Sequence, residues 1–214
     1  MIFDVVLGDS TVPVVGHAGK TGWVYLLDRR TGRQLRRSEP FVPLENVFPA
    51  ATVAGTRSSP GTRGGANWPP SAYSPRTGLM YVLGSHIPMK FVIDSSTGKR
   101  KNNELAKYAH FAALPDTLTY GTLSAIDVRT GAIRWQHRTP KNQMSSGVMA
   151  TAGDLVFYGD VQGYLMGLDA ATGEVVWRDR AAQGNLGPPI SFRVDGHQRR
   201  AVTSKEGVAV YGLP

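Results

Sequence analysis

One pattern of 15 residues occurs three times in the chain and constrains its fold more than any other feature. Each copy opens with a glycine, carries an aspartate six residues later and then has a Thr-Gly pair. The copies are GWVYLLDRRTGRQLR, GTLSAIDVRTGAIRW and GYLMGLDAATGEVVW, at residues 22–36, 121–135 and 163–177. Two copies end in tryptophan, Trp135 and Trp177, whereas the first has Arg36 in that place. Such self-similarity is the signature of a repeat architecture.

The residues of each copy predict a β-hairpin. Apolar side chains precede the aspartate, as in Tyr164–Leu168, and favour a strand. Asp-x-x-Thr-Gly is typical of a tight turn, because the aspartate accepts hydrogen bonds from backbone N–H groups two or three residues on and the glycine tolerates a positive φ. The segment Glu174–Trp177 then forms the returning strand. Because an isolated hairpin is marginal in water, the units must pack on one another, and the repeated aspartates and tryptophans are expected to be structural.

The spacing of the copies predicts the fold class. Gly121 and Gly163 lie 42 residues apart. A period near this value with about four short strands per unit is typical of a propeller blade, so we predict an all-β chain of about four β-propeller blades. Residues 38–70 contain six prolines and are predicted to be an ordered but irregular excursion. Residues 99–118 are expected to form a loop with a short helix over Asn103–His110.

Open sheet edges favour aggregation, so propellers close into rings. The four predicted blades either close alone as a small ring or belong to a larger one. The sequence starts directly in a predicted strand and lacks the basic segment and cleavage pattern of a secretion signal. We therefore expect residues 1–214 to be one portion of a longer propeller, and a β-sandwich is less consistent with the internal repeat.

Composition and motifs narrow the function classes. The formal net charge is +8, but the arginines and lysines are scattered over predicted turns without an aromatic platform, which does not indicate a nucleic-acid interface. The chain has no cysteine, which excludes disulfides and thiolate metal sites. No apolar run reaches the roughly 18 residues of a membrane span. The histidines lack metal-ligand spacing, and neither a nucleophile elbow nor a phosphate-binding loop is present.

The Asp-x-x-Thr-Gly-x-x-x-Trp copies resemble the tryptophan-docking motifs of quinoprotein alcohol dehydrogenases, which are eight-bladed propellers that use pyrroloquinoline quinone (PQQ) and Ca²⁺. Residues 64–75, GGANWPPSAYSP, are similar to the family segment that carries a quinone-contacting asparagine. Residues 149–159, MATAGDLVFYG, are similar to a late blade. The resemblance covers almost the whole chain and corresponds to the C-terminal half of the family's length. It implies a periplasmic location, an alcohol, sugar or polyol substrate, and hydride transfer to the quinone.

The same resemblance assigns three cofactor-binding residues. Lys20 matches the basic residue that contacts the quinone carbonyl oxygens, where a cation stabilises negative charge during reduction; the alternative is a solvated lysine in a turn. Asn67 is expected to hydrogen-bond to the quinone, or else to its own loop backbone. Trp68 is expected to line the pocket, or else to pack in the core. His86, at a predicted strand end nearby, is a weaker candidate.

Departures from the family pattern keep a second function open. Residues 144–147, MSSG, stand where a family tryptophan is expected, and the last strand lacks the family's Gly-rich tryptophan segment. The family's catalytic aspartate and Ca²⁺ ligands lie in its N-terminal half, so the catalytic residues are unknown and no metal ligands are expected here. The expected partner is the missing N-terminal half of the propeller, or a second copy by self-association. The alternative function is a non-catalytic propeller that serves as a binding scaffold.

Overall fold

The computed structural model describes residues 1–93, 109–114, 116–139 and 146–212, and every regular element in these ranges is a β-strand. The strands are β1 (Ile2–Leu7), β2 (Ser10–Ala18), β3 (Val24–Asp28), β4 (Gln34–Arg37), β5 (Thr56–Ser58), β6 (Ala72–Ser74), β7 (Leu79–His86), β8 (Met89–Ile93), β9 (Ala109–Ala113), β10 (Tyr120–Asp127), β11 (Ile133–Thr139), β12 (Val148–Ala150), β13 (Leu155–Gly159), β14 (Tyr164–Asp169), β15 (Val175–Arg180), β16 (Ile190–Val194), β17 (His197–Ser204) and β18 (Gly207–Gly212).

Four antiparallel sheets follow one another along the chain as propeller blades. Blade 1 contains β1 to β4, blade 2 contains β6, β7, β10 and β11, blade 3 contains β12 to β15, and blade 4 contains β16 to β18. A fifth sheet of three strands, β5–β8–β9, is assembled from the β4–β6 excursion and from the long connection between β7 and β10. We call it the inserted sheet. The prediction of an all-β propeller with about four blades is confirmed.

The blades stack because both faces of the inner sheets are apolar. Successive side chains of a strand point to opposite faces. On one face of β7, Met80 and Val82 belong to the core shared with blade 1. On its other face, Leu79, Tyr81 and Leu83 belong to the core shared with blade 3. A third core lies between blades 3 and 4, so each sheet is stabilised by its neighbours in the stack.

The predicted hairpins form, and each joins the third strand of a blade to the fourth. Asp169 Oδ1 accepts hydrogen bonds from the backbone N–H groups of Ala171 (2.9 Å) and Thr172 (2.8 Å). Gly173 has a φ of +75°, as the turn requires. Asp28 and Asp127 accept equivalent bonds in their own turns. The repeated aspartate is therefore structural, as its recurrence predicted.

The residues at the end of each copy pack against the next blade. Trp135 donates its Nε1–H to the carbonyl oxygen of Ala170 at 3.1 Å. Its ring lies so close to Gly173 that a Cβ there would approach the ring to 2.5 Å. Arg36 and Gly131 take the equivalent places between blades 1 and 2. Trp177 contacts Tyr211 of β18, with ring centroids 5.3 Å apart.

The structure corrects one prediction in the connections. β9 occupies Ala109–Ala113, so the helix expected over Asn103–His110 is wrong at its last two residues; residues 103–108 lie outside the described ranges. Antiparallel pairing places Phe111 opposite Phe91 of β8, and such tertiary pairing outweighs helix propensity. The excursion over 38–70 is irregular apart from β5 and two isolated bridges, and is anchored by the buried Phe41.

No helix within the described ranges is long and apolar enough to cross a membrane.

Candidate functional site

The candidate residues lie at one end of blades 1 and 2, where three connections meet. Lys20 is in the turn between β2 and β3, and Asn67 and Trp68 lie shortly before β6. His86 is the last residue of β7. Because β2 and β7 are the second strands of neighbouring blades, their ends reach the same side of the stack.

Lys20 and Asn67 bind the same short turn, residues 61–65. Lys20 Nζ donates to the carbonyl oxygen of Thr62 at 3.3 Å. Asn67 Nδ2 donates to the carbonyl oxygen of Arg63 at 3.2 Å. The structure therefore brings the two side chains together on adjacent carbonyl groups, although they are far apart in sequence.

Backbone contacts fix the second half of this turn. The N–H of Gly65 donates to the carbonyl oxygen of Lys20 at 2.8 Å, and the N–H of Ser85 donates to that of Gly65 at 2.7 Å. Gly64 has a φ of +80°, and a Cβ there would come within 2.6 Å of Lys20 Cγ. Glycine is required at this position both by the backbone conformation and by the close approach of Lys20.

The three predicted cofactor-binding side chains are exposed. Trp68 is 59% exposed, so it does not pack in the core. Asn67 and Trp68 line an open cavity of about 280 Å³, which also contacts His17 and Met80. Lys20 is not among the lining residues of this cavity. The exposed amide, ring and ammonium group are therefore available to a ligand.

The surroundings of His86 favour the neutral imidazole. Ser59 Oγ donates to the carbonyl oxygen of Pro43 at 2.8 Å and lies 3.2 Å from His86 Nδ1. A hydroxyl has one proton, so Nδ1 must donate to Ser59 and Nε2 carries the lone pair. Burial lowers the pKa of His86, and the positive charges of Arg57 and Arg138 lower it further.

The residues fit the quinone better than they fit the metal. An ammonium and a carboxamide on one exposed turn are suitable donors for quinone carbonyl oxygens. Within the described ranges, no group of three or more His, Cys, Asp or Glu side chains could hold a metal ion. The aspartates of the repeated turns are bound to backbone N–H groups. The described part of the chain therefore offers donors suited to PQQ and no cluster of three or more such side chains for Ca²⁺.

The sequence does not predict that the turn at residues 61–65 holds both side chains. Its glycines are the available signal, because Gly64 and Gly65 approach Lys20 and Gly22 too closely for a side chain. The contact of Met89 with this turn has no signal in the sequence, since Met89 belongs to the inserted sheet.

Comparison with known proteins places the chain in a family. The profile of the PQQ family, described as glucose/ethanol/alcohol dehydrogenase, beta-propeller domain, matches residues 33–199. The chain belongs to this family. It is 33% identical over 217 residues to the quinoprotein ethanol dehydrogenase of Pseudomonas putida. This alignment covers 91% of this chain and 34% of that protein. It is 32% identical over 224 residues to the quinoprotein alcohol dehydrogenase PedE of Pseudomonas putida, covering 94% and 35%.

Solved structures of alcohol and methanol dehydrogenases share the architecture. Quinohemoprotein alcohol dehydrogenase from Comamonas testosteroni aligns over 97% of this chain and 34% of its own, with a TM-score of 0.81 and 26% identity. A europium-containing methanol dehydrogenase aligns over 97% of this chain and 39% of its own, with a TM-score of 0.78 and 28% identity. The resemblance to quinoprotein alcohol dehydrogenases is confirmed. The chain spans about a third of the length of the curated relatives it matches, which is less than the half that the resemblance implied.

Proposed function

We propose that residues 1–214 are the C-terminal portion of a periplasmic quinoprotein dehydrogenase that oxidises an alcohol, sugar or polyol. The observation that carries this proposal is the pairing of Lys20 and Asn67 on one exposed turn of a PQQ-family propeller. PQQ, when bound, supplies the two-electron acceptor for the hydride of the substrate. The remaining blades complete the ring, and their residues supply the general base and the Ca²⁺ ligands.

Lys20 provides a positive charge beside the turn at residues 61–65. Its ammonium is exposed, and its hydrogen bond to Thr62 is 3.3 Å long. The ammonium has three N–H donors, so it can donate to a ligand while it keeps its bond to Thr62. A lysine ammonium has three rotatable donors, so it can turn toward a quinone oxygen and stabilise the negative charge that develops there.

Asn67 and Trp68 provide orientation. The bond from Asn67 Nδ2 to Arg63 leaves the second N–H and the Oδ1 acceptor of the amide for a ligand. The exposed ring of Trp68 forms an apolar wall of the adjoining cavity. Together they offer one polar and one flat apolar surface, which are the contacts that a planar, oxygen-bearing quinone needs.

The test is a titration of the purified chain with PQQ, with and without Ca²⁺, followed by quinone absorbance and thermal melting. We expect saturable binding that raises the melting temperature and is weakened in Lys20→Met and Asn67→Ala. Lys205→Met is the matched control, since Lys205 is an exposed turn lysine in blade 4. A folded chain that shows no saturable binding would favour the non-catalytic scaffold instead.

A further inference from the structure

The turn at residues 61–65 is supported from two different directions. Its second half is bound by backbone hydrogen bonds to Lys20 in the β2–β3 turn and to Ser85 near the end of β7. Its first half carries the carbonyl groups of Thr62 and Arg63, to which the two candidate side chains donate. This first half contacts the inserted sheet and the residues that lead into it.

Met89 of β8 touches the first two residues of the turn. Thr62 Oγ1 donates to Met89 Sδ at 3.2 Å. A Cβ on Gly61 would lie 2.5 Å from Met89 Cγ, so the glycine backbone packs directly on the methionine. The N–H of Gly61 also donates to the carbonyl oxygen of Ile87, just before β8, at 3.0 Å. Because a thioether is a weak acceptor but fills irregular gaps well, the packing matters more than the hydrogen bond.

Met89 lies in β8, the central strand of the inserted sheet. In β5, Arg57 Nε donates to Glu45 Oε2 at 2.7 Å, and Ser58 Oγ donates to the carbonyl oxygen of Asn46 at 2.8 Å. On the other side of β8, the rings of Phe91 and Phe111 meet edge to face at 5.2 Å. The sheet is therefore braced on both sides of the strand that carries Met89.

We propose that Met89 is a positioning residue for the quinone site. Through Met89, the inserted sheet fixes the carbonyl groups of Thr62 and Arg63, and these in turn direct Lys20 Nζ and Asn67 Nδ2. A turn with three glycines has little side-chain packing of its own, so removing the methionine leaves a gap into which it can shift. The effect on PQQ rests on the proposed function, whereas the effect on Lys20 does not.

The first test needs no quinone. Lysines are labelled by reductive ¹³C-methylation, and the NMR signal of Lys20 is identified by its absence in Lys20→Arg. We expect Met89→Ala to move this signal toward that of a solvated lysine and Met89→Leu to restore it, because leucine has a similar volume. The control is Met166→Ala, which removes a half-buried methionine packed between blades 2 and 3 and should leave the Lys20 signal unchanged.

The second test is PQQ affinity in the same variants. We expect Met89→Ala to raise the Kd roughly tenfold, which corresponds to about 1.4 kcal/mol. Met89→Leu should stay within roughly twofold of the parent chain, and Met166→Ala should lower the melting temperature without changing the Kd. The proposal is overturned if Met89→Ala leaves the Lys20 signal in place, or if it changes the Kd no more than Met166→Ala does. If the parent chain does not bind PQQ while Met89→Ala still moves the Lys20 signal, the proposed function fails and the positioning role stands.

Discussion

The indole ring of Trp135 lies on the backbone of Gly173 in the following blade, and its Nε1–H is bonded to the carbonyl oxygen of Ala170 at 3.1 Å. A Cβ on Gly173 would fall 2.5 Å from the ring. The glycine of the repeated turn therefore has two functions. It adopts a φ of +75°, and it provides the flat surface on which the tryptophan of the preceding blade rests.

Replacing Gly173 should destabilise the chain more than replacing its counterpart Gly32. Both glycines have a similar φ, +75° and +73°, but a Cβ on Gly32 would have no neighbour within 4 Å. We expect Gly32→Ala to lower the free energy of unfolding by about 1–2 kcal/mol, the backbone strain alone. Gly173→Ala should lower it by about 3–4 kcal/mol, because Trp135 must also be displaced. Urea unfolding measures both, and equal losses would show that the docking contact contributes nothing.

The turn aspartates should make stability depend on acid pH. Hydrogen bonds from the side chain and the backbone of Arg30 lower the pKa of Asp28 from 3.8 to about 2. Hydrogen bonds from Thr172 lower the pKa of Asp169 below 3.8. A carboxyl whose pKa is lower in the folded state stabilises that state above the unfolded pKa and loses this effect as pH falls through the folded pKa.

The melting temperature should therefore decrease as the pH falls from about 4 to about 2. These limits are the ordinary pKa and the folded-state pKa of Asp28. The double variant Asp28→Asn, Asp169→Asn should melt lower at pH 7 and change less over the acid interval. Calorimetry across this range checks the prediction. A parallel decrease in the parent chain and the variant would contradict it.

His86 should be neutral at pH 7, with its proton on Nδ1. Its pKa is lowered by burial and by Arg57 and Arg138, and Ser59 Oγ can only accept from it because the hydroxyl proton is used on Pro43. Two-dimensional ¹⁵N–¹H spectra of the ring distinguish the tautomers. Ser59→Ala should release the preference for Nδ1–H. A parent chain in which Nε2 carries the proton would refute the assignment.

Substitutions at the proposed quinone-binding residues, Lys20 and Asn67, should affect PQQ affinity in a graded way. Loss of a charged hydrogen-bond donor in Lys20→Met should raise the Kd about 10- to 100-fold. Asn67→Asp is nearly isosteric but places a negative charge toward the quinone oxygens, so it should weaken binding more than Asn67→Ala. Equilibrium dialysis with PQQ measures the series. Equal affinities for Asn67→Asp and Asn67→Ala would exclude a direct contact with those oxygens.

The features that sequence predicts well are those decided locally. Asp169, Thr172 and Gly173 determine their turn through contacts within a few residues, and the spacing of the copies then implies the stacked sheets. Family resemblance points to Lys20 and Asn67 separately. Their meeting on one turn depends on a contact between Lys20 and Thr62, 42 residues apart, across a segment with no periodic pattern.

The inserted sheet lies beyond such reasoning for a physical reason. β5 has three residues in a proline-rich excursion and pairs with β8, more than 30 residues later. A strand this short has too little hydrophobic alternation to be recognised, and its pairing is a tertiary contact. The role of Met89 follows from that pairing, so it emerges only when the fold is known.

The contact between Trp135 and Gly173 also bears on how the number of blades in a propeller can change during evolution. Blades 2 and 3 each offer a turn glycine to the blade before them, Gly131 and Gly173. Between blades 3 and 4, Trp177 contacts Tyr211 instead. A contact of this kind determines how one blade packs on the next and does not determine how many blades the ring contains. The number of blades in the ring then depends on the small rotation between each blade and the next, and no single side chain determines it. Duplication or loss of whole blades during evolution can therefore enlarge or shrink a propeller ring while the contacts between neighbouring blades are kept.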